Sequence, residues 1–501
     1  MRSKKALINI IVSLILQGVS IVCGLIVPRL IITTYGSSVN GLIASINQFL
    51  GYIVLLEAGV GGVVRAALYK PLANNDINST SAIIKATERF FKKVACIFIL
   101  YLLLLSFVFP YVVNSEFNTF FTAGLVLIIG ISTFFQYYFG LSYQVLLQAD
   151  QKRYVTSILQ IATMIINAAL IIILIRFGTS IHAVKLGSSM IFVLRPILLN
   201  RYVNKKYKIV RDSEPDNESI KQRWDGLGHH IAFLLHDNTD IALLTIFANI
   251  REVSVYSVYY MIVCSMRGLT ATFASSIEAA FGNMIANDEK AALNKNFRLF
   301  EFCNFSITTI LFTSTAILIL PFILLYTSEV KDVNYYRPVF AYILIAAEAV
   351  YCIRIPYNSV VLAAGHYKQT RNGAFIEAAI NIILSIILVN YFGIEGVAIG
   401  TLSAMLFRTI QYEAYLSKNI LNRSIFEFIK RIIVYSLAAI LIIVVINLLP
   451  TKVIDSFTAW IVYAVEVVFI ASLITFISDV VFYLDEMKNV LSIIKRIFKK
   501  K

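Results

Sequence analysis

The chain has 501 residues, 58% of them hydrophobic and 15% charged, with a mean hydropathy of +0.78 and a formal net charge of +15. So little polar surface cannot cover a water-soluble globule of that length, which excludes a soluble protein and predicts an all-α polytopic membrane protein. A basic balance of this size can signal nucleic-acid binding, but these cations fall in short stretches between apolar runs and no RNA or DNA module is recognisable, so nucleic acid is set aside as a partner.

Fourteen runs are long enough for about 20 residues of helix. The first six fall near residues 6–33, 39–66, 91–113, 118–147, 154–176 and 180–200. A polar stretch at 201–225 follows, containing Asp212-Ser-Glu-Pro-Asp-Asn-Glu218. Six more runs lie near 228–249, 254–284, 299–326, 337–363, 372–392 and 395–416, and the last two, 427–449 and 457–483, read as an appended hairpin. This pattern divides the chain into a six-helix lobe at 1–200, a linker at 201–227, a second six-helix lobe at 228–418 and a hairpin with a basic tail at 419–501. The first run is too long for the apolar core of a signal peptide and no small-residue cleavage site follows it, so no cleavable secretory signal is expected.

Charge sets the expected orientation. Alternate loops are basic, with Arg2, Lys4 and Lys5, then Lys85, Arg89, Lys92 and Lys93, Lys152 and Arg153, Lys205, Lys206 and Lys208, Lys290, Lys295 and Arg298, Lys368 and Arg371, Lys418, Arg423, Lys430 and Arg431, and a lysine-rich C-terminus. The opposite loops hold only Arg176, Arg251, Lys331, Arg337 and Lys452, so the positive-inside rule places both termini in the cytoplasm. Cys23, Cys96, Cys264, Cys303 and Cys352 are scattered singly through apolar runs and read as core filler, with no metal-ligand spacing.

The two halves repeat. Leu147, Ala149, Phe177-Gly178, Ala183, Ser188 and Met190 recur as Leu362, Ala364, Phe392-Gly393, Ala398, Ser403 and Met405, each 215 positions on. Internal repeats in a membrane chain point to a transporter whose halves rock about a site between them, and an even number of spans per half gives both copies the same orientation. The outer loops are all about a dozen residues or shorter, and paired carboxylates, metal-spaced clusters and nucleophile motifs are lacking, so an enzyme is not expected, nor is any cofactor.

Ionisable residues inside apolar runs cost about 2.5–3.5 kcal/mol each on insertion scales and usually face a polar interior. Here they are Arg29, Glu57, Arg65, Lys185, Arg195, Asp237, Asp240, Arg267, Glu278, Glu348, Arg354, Glu377 and Arg408. Arg29, Arg65, Lys185, Arg195 and Arg408 lie near run ends and equally read as snorkelling to an interface. Arg267, Glu278, Glu348, Arg354 and Glu377 lie deeper and read first as functional, with ion pairs of Arg267 with Glu348 and Arg354 with Glu377 holding helices together as the alternative. Asp237, Asn238 and Asp240 form a polar patch midway along a run, His236 is a candidate proton site, and His229 and His230 read as interfacial. Glu57 followed by Gly59, Gly61 and Gly62 predicts a break or tight crossing.

The segments Tyr35-Gly-Ser-Ser-Val-Asn-Gly-Leu42, Gln48-Phe-Leu-Gly-Tyr-Ile-Val-Leu-Leu-Glu-Ala-Gly-Val-Gly-Gly62 and Arg65-Ala-Ala-Leu-Tyr-Lys-Pro-Leu72 resemble those of Wzx-type polysaccharide repeat-unit flippases of the MOP exporter superfamily. So do Asn238-Thr-Asp-Ile241 and Val253-Ser-Val-Tyr-Ser-Val-Tyr-Tyr-Met-Ile262, and the resemblance spans residues 6–416. It implies two pseudo-symmetric six-helix lobes that open alternately to each side of a bacterial plasma membrane and carry an undecaprenyl-pyrophosphate-linked oligosaccharide outward. Arg29, Arg65, Arg267, Arg354 and Arg408 are then candidates to bind the pyrophosphate. Glu57, Asp240, Glu278, Glu348 and Glu377 are candidates to couple H⁺ or Na⁺, since no nucleotide-binding P-loop is present. The implied partners are the lipid-linked oligosaccharide, membrane lipid, and the polymerase and glycosyltransferases of a polysaccharide pathway. The appended hairpin departs from a twelve-span pattern and is shared with lipid II flippases. Two rivals stand beside this reading: a drug or small-metabolite antiporter of the same superfamily, which needs an acidic, aromatic pocket, and a non-transporting scaffold, which needs no buried charges.

Overall fold

The computed structural model describes residues 2–57, 60–113, 117–210, 213–216, 218, 239–275, 278–450 and 454–499, with the side chains of 2–7, 273–275, 278–280, 286, 493–494 and 496–499 excepted. Those residues are helical apart from turns and short connections, with no strand among them. Among the described residues eleven helices are long and apolar enough to cross a membrane, and the chain is a multi-pass membrane protein. Two further expected spans are helices that carry more charge, Ile394–Leu416 and Ile250–Ser275, the latter followed by Glu278–Ala286. Of the expected span at 228–249, the part up to 238 lies outside the described residues, with His229, His230, His236, Asp237 and Asn238.

Helix ends follow local chemistry. Asp76 caps Ile77–Val112 by accepting the Ser79 N–H at 3.0 Å, Asn118 caps Thr119–Phe135, Ser180 caps Ile181–Lys206 and Ser456 caps Phe457–Phe482. Asp76 is exposed, and the Ser79 hydroxyl and N–H hold its carboxyl below the ordinary aspartate range. The turns carry the repeat into three dimensions. Asn75 and Asp288 both sit at φ 53°, and Gly178 and Gly393 at φ 67° and 57°, so equivalent helices in the two halves are each followed by a residue at positive φ. The second expected span is broken, but the turn comes ahead of Glu57, and Gly61 and Gly62 of the glycine cluster lie inside a helix. It runs Ser37–Gly51, turns at Tyr52 and Ile53 through i→i−3 bonds, and resumes as Val54–Glu57 and Val60–Ala73. Short π-helical segments, Gln136–Gly140 and Ser417–Leu421, follow two of the long helices.

Contacts divide the chain into residues 1–257 and 258–501. In the first unit Leu42, Ile46, Val64, Phe91, Phe98 and Leu146 are buried together. In the second, Phe281, Phe297, Phe305, Tyr357 and Leu416 form one core, and Leu318, Ile442, Val467 and Ala471 another. Leu100, Leu103, Leu104 and Phe107 leave a strongly exposed stripe at helical spacing along Ile77–Val112, the signature of a lipid-facing side.

Because lipid is as apolar as leucine, small residues and interhelical hydrogen bonds must decide which faces meet. In the first unit a Cβ on Gly41 would stand 1.8 Å from the Ile250 carbonyl oxygen, so only glycine admits this approach. Around it Asn40 donates to Ser254 at 2.9 Å, and Ser45 and Thr245 share a 2.7 Å bond. The second unit repeats the device where Ile394–Leu416 lies along Tyr367–Phe392. Gly396 faces the Leu388 carbonyl, Gly400 faces Ser385, and Asn381 donates to Thr401 at 3.0 Å.

Candidate functional site

Four helices of the second unit bring five of the expected residues into one network. Glu348, Tyr351 and Arg354 recur at three-residue intervals on Pro338–Ala363 and so share a side of that helix. Arg267, on Ile250–Ser275, reaches Glu348 at 3.3 Å. Arg354 pairs with Glu377 of Tyr367–Phe392, and Arg408 of Ile394–Leu416 reaches the other oxygen of the same carboxylate at 3.3 Å. The Tyr351 ring lies between two guanidiniums, 5.0 Å from that of Arg267 and 4.7 Å from that of Arg354.

The three arginines are not equivalent. Arg408 also donates to the Thr370 carbonyl at 2.9 Å, to Gln411, and to the Tyr412 hydroxyl at 2.8 Å, so it is saturated and its side chain is 3% exposed. Arg354 is 9% exposed, whereas Arg267, tethered to Glu348, is 19% exposed. Three cations against two carboxylates leave the network one positive charge in excess among the described residues. Both ion pairs considered from the sequence are therefore present, and they leave Arg267 as the most accessible donor of the three. Tyr351 was missed, although its i±3 spacing from Glu348 and Arg354 was the signal that could have found it.

In the first unit the expected residues are separate. Glu57 accepts from the Tyr137 hydroxyl at 3.1 Å, Arg65 donates to Gln148 at 2.8 Å, and buried Asp240 accepts from the Tyr256 hydroxyl at 2.7 Å. Arg29 is half-buried, with its carbonyl accepting from Thr33. Arg195 donates twice to Thr163, at 2.9 and 3.2 Å. The Glu278 side chain lies outside the described residues.

A second charged cluster escaped the sequence reading. Glu301, fully buried, accepts both guanidinium arms of Arg423 at 2.7 and 2.9 Å, the Nε of Arg431 at 2.9 Å and the Tyr357 hydroxyl at 2.5 Å. Arg423 also reaches Glu413 and Ser417, and Arg431 reaches Glu486 at 3.5 Å. Burial alone would lower the affinity of Arg423 for its proton, but the Glu301 carboxylate outweighs it and holds the guanidinium above its ordinary value. Arg423 and Arg431 resemble topology-setting loop charges in the sequence, which concealed their role. Nearby, Asp479 of Phe457–Phe482 accepts from Tyr435 at 2.7 Å and Ser306 at 2.9 Å, so two polar clusters clasp the C-terminal hairpin to Lys290–Tyr326.

No protein-family model matches the chain, and no curated protein does. Among solved structures it is similar to the lipid II flippase MurJ in an inward closed conformation, with a TM-score of 0.74 and 18% identity over 95% of this chain and 100% of that one. It is also similar to an inward-facing multidrug resistance MATE family transporter of the MOP superfamily, with a TM-score of 0.63 and 13% identity over 82% and 98%. A third likeness is to the MATE multidrug transporter DinF-BH, with a TM-score of 0.58 and 16% identity over 83% and 95%. The chain thus has the all-α fold common to these membrane proteins, and identities this low speak for fold alone.

Proposed function

We propose that the chain is an alternating-access flippase, built of two six-helix lobes and a C-terminal hairpin, that carries undecaprenyl-pyrophosphate-linked oligosaccharide repeat units from the cytoplasmic to the outer leaflet of a bacterial plasma membrane. The carrying observation is the cationic excess, among the described residues, of the Arg267, Glu348, Tyr351, Arg354, Glu377 and Arg408 network. A pyrophosphate brings roughly two to three negative charges, and guanidinium forks are the donors that match it bidentately. Arg267 is the contact group. Arg354 and Arg408 sit behind it, tied to Glu377, and keep the local potential positive. An organic cation would meet repulsion at such a site, which places the antiporter reading second. The likeness to a lipid II flippase over nearly the whole chain supports the same reading.

The test is transfer of a fluorescent lipid-linked glycan between leaflets of reconstituted vesicles, with the membrane partition of an organic cation run in parallel. Wild type is expected to move the glycan, and Arg267→Ala to slow it by at least about tenfold, equivalent to 1.4 kcal/mol. Arg267→Ala also strands Glu348, so a folded Arg267→Gln/Glu348→Gln variant is the control and is expected to remain inactive. Arg267→Lys should recover only part of the rate, because a point charge lacks the fork. Cation transport with no glycan movement by wild type would replace this reading with the antiporter.

A further inference from the structure

The Ile77–Val112 helix has 36 residues and is about 54 Å long, while the hydrocarbon of a bilayer is about 30 Å thick. Its lipid-facing stripe begins only near Ile97 and Leu100, so the first four turns stand at headgroup depth and beyond. Lys85, Arg89 and Lys92 lie there at i, i+4 and i+7, on one face. Like charges at that spacing are mutually destabilising, and none of the three makes an ion pair among the described residues. Lys92 rests over the Tyr138 ring at 5.3 Å.

The linker closes the opposite side. The Val210 N–H donates to Ser81 at 3.0 Å and the Asp216 N–H to the Ala82 carbonyl at 3.2 Å, which pins residues 213–215 beside the helix. Between the cations and Ser213, Glu214 and Pro215 lies a cavity of about 380 Å³, with Glu88 on its border. That volume suits a small ligand. Orientation asks for cations at this end but not for this arrangement of them, because the repeat bears Lys290, Lys295 and Arg298 at the same end without such a stripe. In the register that equates Asn75 with Asp288, the equivalents of Lys85, Arg89 and Lys92 are Arg298, which is paired with Glu427 at 3.0 Å, and the buried Phe302 and Phe305.

We infer that this cavity is a binding site for a phosphate-bearing anion, held by Lys85, Arg89 and Lys92 against the 213–215 segment of the linker. The site is separate from the Arg267 network and does not depend on the transported cargo. Its chemistry fits both a phosphate group on an inner-leaflet lipid and a soluble phosphate, and two arms distinguish them. In one, full-length protein in detergent is titrated with inorganic pyrophosphate by calorimetry. In the other, nanodiscs of phosphatidylcholine with and without phosphatidylglycerol are assayed for retained lipid by native mass spectrometry. Wild type should bind in at least one arm, less tightly as ionic strength rises. Lys85→Gln/Arg89→Gln/Lys92→Gln should lose at least about tenfold in that arm, while Lys93→Gln, outside the cavity, should not. These are surface positions, and size-exclusion elution and melting temperature confirm the fold of each variant. Glu214→Gln should tighten binding by removing a negative wall, and unchanged binding would take the linker out of the site. No binding in either arm, or equal binding by wild type and the triple variant, overturns the inference.

Discussion

Glu301 is a single buried carboxylate, about three turns into the helix that carries the hairpin, facing two arginines that lie in turn over the rings of Phe297 and Tyr483. A buried ion pair gains little over an apolar replacement, but breaking one strands a charge at a cost of roughly 3–5 kcal/mol. Glu301→Gln leaves both Arg423 and Arg431 short of an anion and is expected to lower the melting temperature by several degrees or more. Adding Arg431→Gln should recover part of that loss, because it removes one stranded cation, and a thermal cycle of the two single variants and the double measures the coupling. Equal melting of wild type and Glu301→Gln would make the clasp energetically idle. The same logic limits what an arginine scan can say about transport. Arg408, saturated by four partners, should fail through folding, whereas Arg267 should fail through transport.

Among elements, the break at Tyr52 and Ile53 and the close approach at Gly41 are the features that depend most on sequence detail. Gly41→Ala drives a methyl into the Ile250 carbonyl, which is backbone and cannot turn aside. Folded yield in membrane extracts should fall steeply, while Gly18→Ala, with open space at its Cβ, should express as wild type. Comparable yields would show that the 37–51 helix shifts freely. These elements also show how far the sequence could be read. The glycine run pointed to a break near Glu57, and the chain turns a little earlier, at Tyr52 and Ile53 beside Gly51, while Gly61 and Gly62 continue a helix; the 215-residue repeat matched Gly178 with Gly393, and both glycines take positive φ. The π-helical segments at 136–140 and 417–421 had no such signal, since an extra residue in a helical turn changes neither composition nor period visibly. Ion pairs within apolar runs were legible because a charge there needs a partner. Glu301 with Arg423 and Arg431 was not, because at a run end the same charges serve orientation.

At the level of the molecule, the bias of basic loops predicts that both termini and the 201–216 region face the cytoplasm. In a variant with its five native cysteines replaced, single cysteines at Lys206 and Lys499 should resist an impermeant maleimide in intact cells, and one at Ser115 should react. External labelling at Lys206 would reverse the orientation and with it the direction of the proposed flip. Ile77–Val112 and Lys290–Tyr326, with 36 and 37 residues, outrun the hydrocarbon by about 24 and 26 Å. Each rod is loaded at its protruding end, one by the linker bonded at Ser81 and Ala82 and the other by the Glu301 clasp, so it works as a lever with a load on its arm. A tilt of about ten degrees at the bilayer surface carries that end and its load sideways by about 4 Å, so rearrangements inside the membrane are displayed, enlarged, where an aqueous probe can reach them.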